Sequence, residues 1–119
     1  MIRAWAIYCG AVGTLAVAAG AFAAHALDGQ DKISAESAVF YALVHLPALL
    51  AAAWLEDRSP GVVWPRTAGW LFALGIAMFS GSIGIRIAGW IETAMLAPVG
   101  GILLMLGWAA LAVAGWRGR

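Results

Sequence analysis

The chain has 119 residues, of which 64% are hydrophobic and 11% are charged, and its formal net charge is +1. Soluble domains carry charge on nearer a quarter of their residues, and a soluble protein of this size could not bury so much apolar surface. The composition therefore excludes a soluble globular domain, the near-neutral charge gives no sign of nucleic-acid binding, and the single cysteine excludes an intrachain disulfide.

Four uncharged runs, residues 4–27, 37–55, 67–85 and 93–116, are separated by short charged segments. The third has 19 residues, which as a helix is roughly 28 Å long, close to the ~30 Å hydrocarbon thickness of a bilayer. The runs show no two-residue alternation, which excludes membrane strands. We therefore predict an all-α protein, an integral membrane four-helix antiparallel bundle. A single domain covers residues 1–119, with helices at about 4–27, 35–55, 66–86 and 93–116.

The first run imitates a secretory signal, because Arg3 precedes an apolar stretch that ends in cleavage-like alanine motifs. It is long for a signal core, and we expect a retained transmembrane helix. Small residues recur on it at four-residue spacing, at Ala16, Gly20 and Ala24, and such stripes let helices approach closely in lipid. His25 lies about two residues from the outer end of this helix.

Residues 28–33 are predicted to form a turn before the second helix. Gly29 suits the end of the first helix, Ser34 suits the cap of the second, and Glu36 would lie in the first turn, where the helix dipole favours an acid. Farther along, Pro47 cannot donate a backbone hydrogen bond, so we expect a kink there.

The third helix contains a small, hydroxyl-bearing patch, residues 79–82 (FSGS), which should lie against something that packs closely. Four-residue spacing predicts a close-contact face made by Ala73, Ala77 and Gly81. Arg86 and Glu92 are expected to pair across the next connection. Pro98 would fall about a turn and a half inside the fourth helix, followed by two further packing candidates, Gly100 and Gly101.

Charge predicts the orientation in the membrane. One side holds five cations, Arg3, Arg58, Arg66, Arg117 and Arg119, and the other holds two, Lys32 and Arg86. Because cytoplasmic loops are enriched in Lys and Arg, both termini are predicted to be cytoplasmic in a bacterial inner membrane. Tryptophans near both ends suggest interfacial belts, formed by Trp5, Trp54, Trp64 and Trp116 on one side and Trp90 on the other.

Four ordered segments carry a family resemblance: residues 20–27 (GAFAAHAL), 69–72 (GWLF), 79–82 (FSGS) and 97–101 (APVGG). Together they resemble the family labelled domain of unknown function 423, which includes bacterial inner-membrane proteins and the eukaryotic transmembrane protein 256. The resemblance covers essentially the whole chain and implies a small four-helix membrane protein without an established activity. Helix two departs from the family pattern, which resembles Tyr-His-Ala-Leu-Ala, because this chain has Val44 before His45 and an extra proline at Pro47. A role for a Tyr-His pair is therefore not carried over.

Polar side chains inside the apolar runs are candidates for an interhelical cluster: His25, Glu36, Tyr41, His45, Ser80 and Ser82. By helical depth, all except His45 belong to the outer half of the bilayer, where they could form hydrogen bonds between helices or line a small-molecule site. His45 lies near the midplane, where a polar group should face the protein interior. It could be a neutral histidine bonded to backbone or hydroxyl groups, a proton relay, or a ligand of haem or a pigment.

No metal-ligand spacing, nucleophile elbow, phosphate loop or thiol pair is visible. We therefore predict no catalytic residues, no metal site and no cofactor, and we expect a non-enzymatic structural or accessory subunit. Its partners would be the lipid bilayer and either itself or another membrane protein, with no nucleic acid. The alternatives are a small multidrug-type transporter and a cofactor-binding membrane subunit with unknown binding residues. The first helix contains no acid between residues 4 and 27, which argues against the transporter.

Overall fold

Four long helices make up the fold. The computed structural model describes residues 2–117, with α1 at Ile2–Ala26, α2 at Gly29–Arg58, α3 at Val63–Ile87 and α4 at Ala97–Arg117. All four are long and apolar enough to cross a membrane. No strand occurs in the described part of the chain, and the prediction of an all-helical protein with four spans is confirmed. Within α3, the segment Ala77–Gly81 is π-helical.

The connection between α1 and α2 is shorter than predicted. Only residues 27–28 separate the helices, and the predicted turn over residues 28–33 is wrong. Gly29 has a φ of +56°, a left-handed conformation that glycine adopts without steric cost, and this allows the chain to reverse sharply. Ser34 consequently lies inside α2 rather than at its cap, and the acidic residue in the first turn is Asp31, not Glu36.

The start of α4 is also corrected. The helix begins at Ala97 instead of residue 93, and residues 88–96 form the connection from α3. Pro98 is therefore in the first turn, where a helix needs no backbone N–H from it, rather than a turn and a half inside. Pro47, in contrast, lies within α2, which stays helical on both sides of it.

The helices α2 and α3 form the centre of the molecule, with α1 packed on α2 and α4 packed on α3. Consecutive helices run antiparallel. Along α1, a Cβ atom added to Gly13 would lie 3.5 Å from Leu46 and one added to Gly20 would lie 3.5 Å from Val39, so α2 is traversed in the opposite direction. Ser80 late in α3 bonds to Ala38 early in α2. The largest fully buried side chains are Phe72, Leu49 and Pro65.

Glycines allow α3 and α4 to approach most closely. A Cβ atom added to Gly100 would collide with backbone atoms of Phe79 and Met78, and one added to Gly75 would lie 2.7 Å from Leu104 Cδ2. A Cβ on Gly107 would lie 2.8 Å from the ring of Phe72. Since lipid supplies no hydrophobic drive for helices to associate, this close van der Waals packing is what holds α4 in place.

At the ends of the helices, one predicted ion pair and one predicted interfacial position are wrong. Arg86 pairs with Asp31, Nη1 to Oδ1 at 3.4 Å, instead of with Glu92, because α2 extends far enough to bring Asp31 beside it. Trp5 is 5% exposed and is not an interfacial side chain; its ring contacts Trp70 at a centroid distance of 5.0 Å. On the other side of the molecule, Arg66 Nε donates to Glu56 Oε1 at 2.8 Å.

Candidate functional site

The six polar candidates do not form one cluster. His25 and Glu36 are exposed, and within residues 2–117 neither has a hydrogen-bond or ion-pair partner. The helical repeat explains why His25 is exposed. This residue follows the buried Ala23 by two positions, so it lies about 200° around α1 from the side packed on α2. Glu36 similarly follows the buried Ala35 by one residue and points away from the packed side of α2. Neither residue connects helices in the part of the chain that the structure describes.

The two serines of the FSGS patch have different partners. Ser80 donates to the carbonyl oxygen of Ala38 at 2.6 Å, which links α3 to α2. Ser82 is buried and donates to the carbonyl oxygen of Met78 in its own helix at 2.5 Å. That carbonyl lies in the π-helical segment, where the regular backbone pairing is shifted. Only Ser80 therefore makes the predicted kind of interhelical bond.

His45 lies among aromatic rings in the middle of the protein. Its side chain is 5% exposed, and its Nδ1 lies 2.5 Å from the carbonyl oxygen of Tyr41, one turn earlier in α2. The Tyr41 ring stacks on the imidazole at a centroid distance of 6.1 Å, and the rings of Phe72 and Trp108 each lie 5.8 Å from it. Three helices thus fix the position of this side chain.

A cavity of about 460 Å³ opens beside His45, between α2, α3 and α4. Its lining is almost entirely apolar and aromatic, and it includes Tyr41, His45, Phe79, Gly101, Met105 and Trp108. Met105 is 65% exposed and Trp108 is 47% exposed, so the cavity opens sideways toward the surroundings of the helices.

The predicted packing residues divide into three groups. Ala73 and Gly100 are buried, and Gly100 touches the backbone of α3. Gly20 and Gly101 lie at ordinary distances, because an added Cβ would be 3.5 Å from Val39 and 3.9 Å from Phe79, respectively. The two remaining residues of the predicted α3 face, Ala77 and Gly81, are exposed, and a Cβ atom added to Gly81 would meet no atom within 4 Å among the described residues.

Ala77 and Gly81 instead line an apolar groove between α1 and α3, with a volume of about 590 Å³, which we call the α1–α3 groove. Small side chains form its floor, namely Ala35, Ala38 and Ala42 of α2 and Ala77, Gly81 and Gly84 of α3. Larger side chains, among them Phe22 and Ile83, form its walls. The groove is closed at one end, where the Tyr8 hydroxyl donates to the carbonyl oxygen of Ala73 at 2.6 Å.

The residues that attach α1 to α3 are Tyr8 and Trp5, whose rings touch each other on the same face of α1. The sequence analysis does not predict either attachment: Tyr8 is not among its candidates, and Trp5 is predicted to lie at the membrane interface. The spacing of residues on α1 does indicate which face is buried. A seven-residue repeat joins Cys9, Ala16 and Ala23, and Trp5 lies four residues before Cys9, so all four residues share one helix face. The close contacts of Gly75 and Gly107 with α4 and α3 carried no distinguishing signal in a chain with 15 glycines.

Comparison with known proteins places the chain among small membrane proteins. The family profile described as "Protein of unknown function (DUF423)" matches residues 19–101. UPF0382 membrane protein YwdK of Bacillus subtilis is 37% identical over 114 residues, covering 91% of this chain and 93% of the relative. UPF0382 membrane protein SERP0230 of Staphylococcus epidermidis is 38% identical, covering 84% of each chain, and a Haemophilus influenzae UPF0382 membrane protein is 31% identical, covering 90% and 89%.

No solved structure gives a significant match. The family profile spans more than half of the chain, and the relatives align with nearly its full length. Together with the four apolar helices, these matches identify a membrane protein. The chain belongs to the DUF423 family of membrane proteins of unknown function.

Proposed function

We propose that this protein is a small accessory subunit of a membrane assembly, which receives a transmembrane helix of a partner in the α1–α3 groove. The observation that carries the proposal is an exposed row of small residues along α3, made by Ala77, Gly81 and Gly84 and continued by Ala88 at the C-terminal cap of the helix. Their spacing of four, three and four residues places them on one helix face. A Cβ atom added to Gly81 or Gly84 would meet no atom within 4 Å, so this face has room for a close neighbour.

The chemistry of the groove suits a helix. In lipid, helices associate where small residues let their backbones come together, and this floor presents such residues from both α2 and α3. A helix with its side chains is about 10–12 Å across, so the groove of about 590 Å³ can hold one row of a partner's side chains rather than a whole helix. The partner is either a second copy of this chain or another membrane protein.

We further propose a bacterial inner-membrane location with both termini in the cytoplasm and no catalytic activity. The relatives described above are bacterial proteins named as membrane proteins, which supports the location. The orientation is supported by Arg3, Arg58, Arg66 and Arg117 at one end of the helices, against Lys32 and Arg86 at the other. Arg119, the fifth cation of the sequence count, lies outside the described residues.

Photo-crosslinking in native membranes tests the helix-binding proposal. A benzophenone amino acid in place of the exposed Ala77 should form an adduct with a protein when the membranes are irradiated. Gly81→Leu, which fills the groove without a clash, should reduce the yield of that adduct several-fold. Gly115→Leu is the matched control, because Gly115 is an exposed helical glycine on α4, also with no atom within 4 Å of an added Cβ; it should leave the yield unchanged.

The mass of the adduct identifies the partner: twice the mass of this chain indicates a second copy, and another discrete mass indicates a different protein. Adducts with lipid alone, or a protein adduct whose yield Gly81→Leu leaves unchanged, would overturn the proposal.

A further inference from the structure

The cavity beside His45 shares no lining residue with the α1–α3 groove. The buried polar side chain that lines it is His45, and one of the two ring nitrogens of this residue has no hydrogen-bond partner among the described residues. A carbonyl oxygen can only accept a hydrogen bond, so the 2.5 Å contact with the Tyr41 carbonyl requires His45 Nδ1 to carry a hydrogen and to act as the donor. In a neutral imidazole, the other ring nitrogen, Nε2, then presents a lone pair. Among residues 2–117, Nε2 has no hydrogen-bond partner, and it is not one of the fully enclosed unpaired atoms.

His45 is 5% exposed and lines the cavity, so the accessible side of the ring, with Nε2, is the side that faces it. The residue lies in the middle of the 30-residue helix α2, far from the water at either end. A lone pair at this depth has no solvent to bond with, and leaving it unpaired is unfavourable. The atom that completes the site must therefore come from a molecule that dissolves in the hydrocarbon and donates a hydrogen bond.

The rings around the cavity narrow the class of ligand. Tyr41, Phe79 and Trp108 all line it, and the Tyr41 and Phe79 rings meet edge to face at a centroid distance of 5.0 Å. Aromatic faces and edges favour another planar ring in an offset or edge-to-face arrangement. A ligand that combines a planar ring with a hydroxyl donor satisfies both the aromatic lining and the Nε2 lone pair.

Two other ligands for a histidine nitrogen fit less well. A metal ion needs several protein ligands, and no group of three His, Cys, Asp or Glu side chains that could hold one occurs within the described residues. A porphyrin with carboxylate substituents needs cationic partners, and neither lysine nor arginine lines the cavity.

We propose that this cavity binds the ring of a membrane-soluble phenol or hydroquinone, whose hydroxyl donates a hydrogen bond to His45 Nε2. The ligand enters sideways from the bilayer between α2 and α4, past the exposed side chains of Met105 and Trp108. The ring packs against Trp108 and Phe79, while the Nδ1 bond to Tyr41 holds the imidazole in the required orientation. The ligand is bound without electron transfer to or from the protein.

Calorimetric titration of the purified full-length protein in detergent tests this site with two probes. Tetramethylhydroquinone carries the hydroxyl donors, and its dimethyl ether has the same ring without them. The native protein should bind the hydroquinone more tightly than the ether by roughly 3- to 10-fold, the range expected for one hydrogen bond. His45→Phe keeps a ring but removes the hydrogen-bond acceptor. This variant should bind the hydroquinone and the ether with about equal affinity.

A second variant keeps the test decisive if His45→Phe does not fold. Gly101 lines the cavity, and an added Cβ there is 3.9 Å from Phe79, so Gly101→Leu fills the cavity without altering His45. It should abolish binding of both probes, whereas Gly115→Leu should change neither. Equal binding of hydroquinone and ether to the native protein, or no binding of either, would overturn the proposal.

Discussion

At the scale of single residues, adjacent glycines in α4 have different roles. Gly100 touches the backbone of α3 at Phe79 and Met78, while Gly101 is separated from the Phe79 ring by an ordinary contact distance. The sequence made both of them packing candidates, and nothing in the local pattern distinguishes them. The difference arises because neighbouring positions on a helix point about 100° apart, so only one of the two can face α3 directly.

Gly100→Ala should therefore destabilise the protein, whereas Gly101→Ala should not. The new methyl group at position 100 can be accommodated only if α3 and α4 move apart, and we expect a loss of about 1–3 kcal/mol, as for overpacking. At position 101, alanine gains helix propensity without a clash, so the effect should be neutral or slightly stabilising. Thermal unfolding of both variants in the same detergent measures the difference; equal melting temperatures would contradict the close contact.

At the scale of elements, α1 is the least buried of the four helices. Its buried side chains are Trp5, Cys9, Ala16 and Ala23. Near its start it is fastened to α3 by the Tyr8–Ala73 hydrogen bond and by the packing of Trp5 on Trp70, while farther along the two helices are separated by the α1–α3 groove. The width of the groove thus depends on contacts at one end of α1.

Tyr8→Phe should loosen α1 while leaving its ring in place. Removing one interhelical hydrogen bond in a membrane protein costs about 0.6 kcal/mol. The single cysteine reports on the helix directly, because Cys9 is buried against α2. Its reaction with N-ethylmaleimide in detergent should become faster in Tyr8→Phe. Thr14→Val is the control, since the Thr14 hydroxyl bonds only to Gly10 in its own helix. An unchanged rate in Tyr8→Phe would mean that this bond does not hold α1.

At the scale of the whole molecule, the length of the helices places the charged residues outside the hydrocarbon layer. The 30-residue α2 is roughly 45 Å long, more than the ~30 Å hydrocarbon layer, so its first turns with Asp31 and Lys32 extend beyond the apolar region. At that end Asp31 meets Arg86 of α3, and at the opposite end Glu56 meets Arg66. Within residues 2–117, each end thus carries one ion pair, while the excess of arginine lies at the end with Arg3 and Arg117.

A reporter-fusion experiment tests the predicted orientation. Alkaline phosphatase, which is active only outside the cytoplasm, should be inactive when fused to the C-terminus and active when inserted in the connection at residues 88–96. That connection is preferable to the segment between α1 and α2, where only two residues lie outside helices. A fluorescent protein that matures only in the cytoplasm serves as the reciprocal reporter. An active phosphatase at the C-terminus would reverse the assignment.

The sequence alone determined the number of helices and the all-helical fold, because the length of an apolar run relative to the bilayer is a local property. It also indicated the membrane location and the family. It did not determine the local boundaries, because the reversal at Gly29 and the start of α4 at Ala97 depend on backbone conformation that neighbouring polar residues do not reveal.

Only the tertiary structure decided which side of each helix is buried. It placed Trp5 inside and His25 outside, closed the space at Gly100 and left it open at Gly81, and brought Trp108 to His45. In a soluble protein, polar and apolar residues would mark the two sides of a helix. Here the side that faces lipid is as apolar as the side that faces protein, so the pattern holds little contrast, and the packing of small residues determines the contacts.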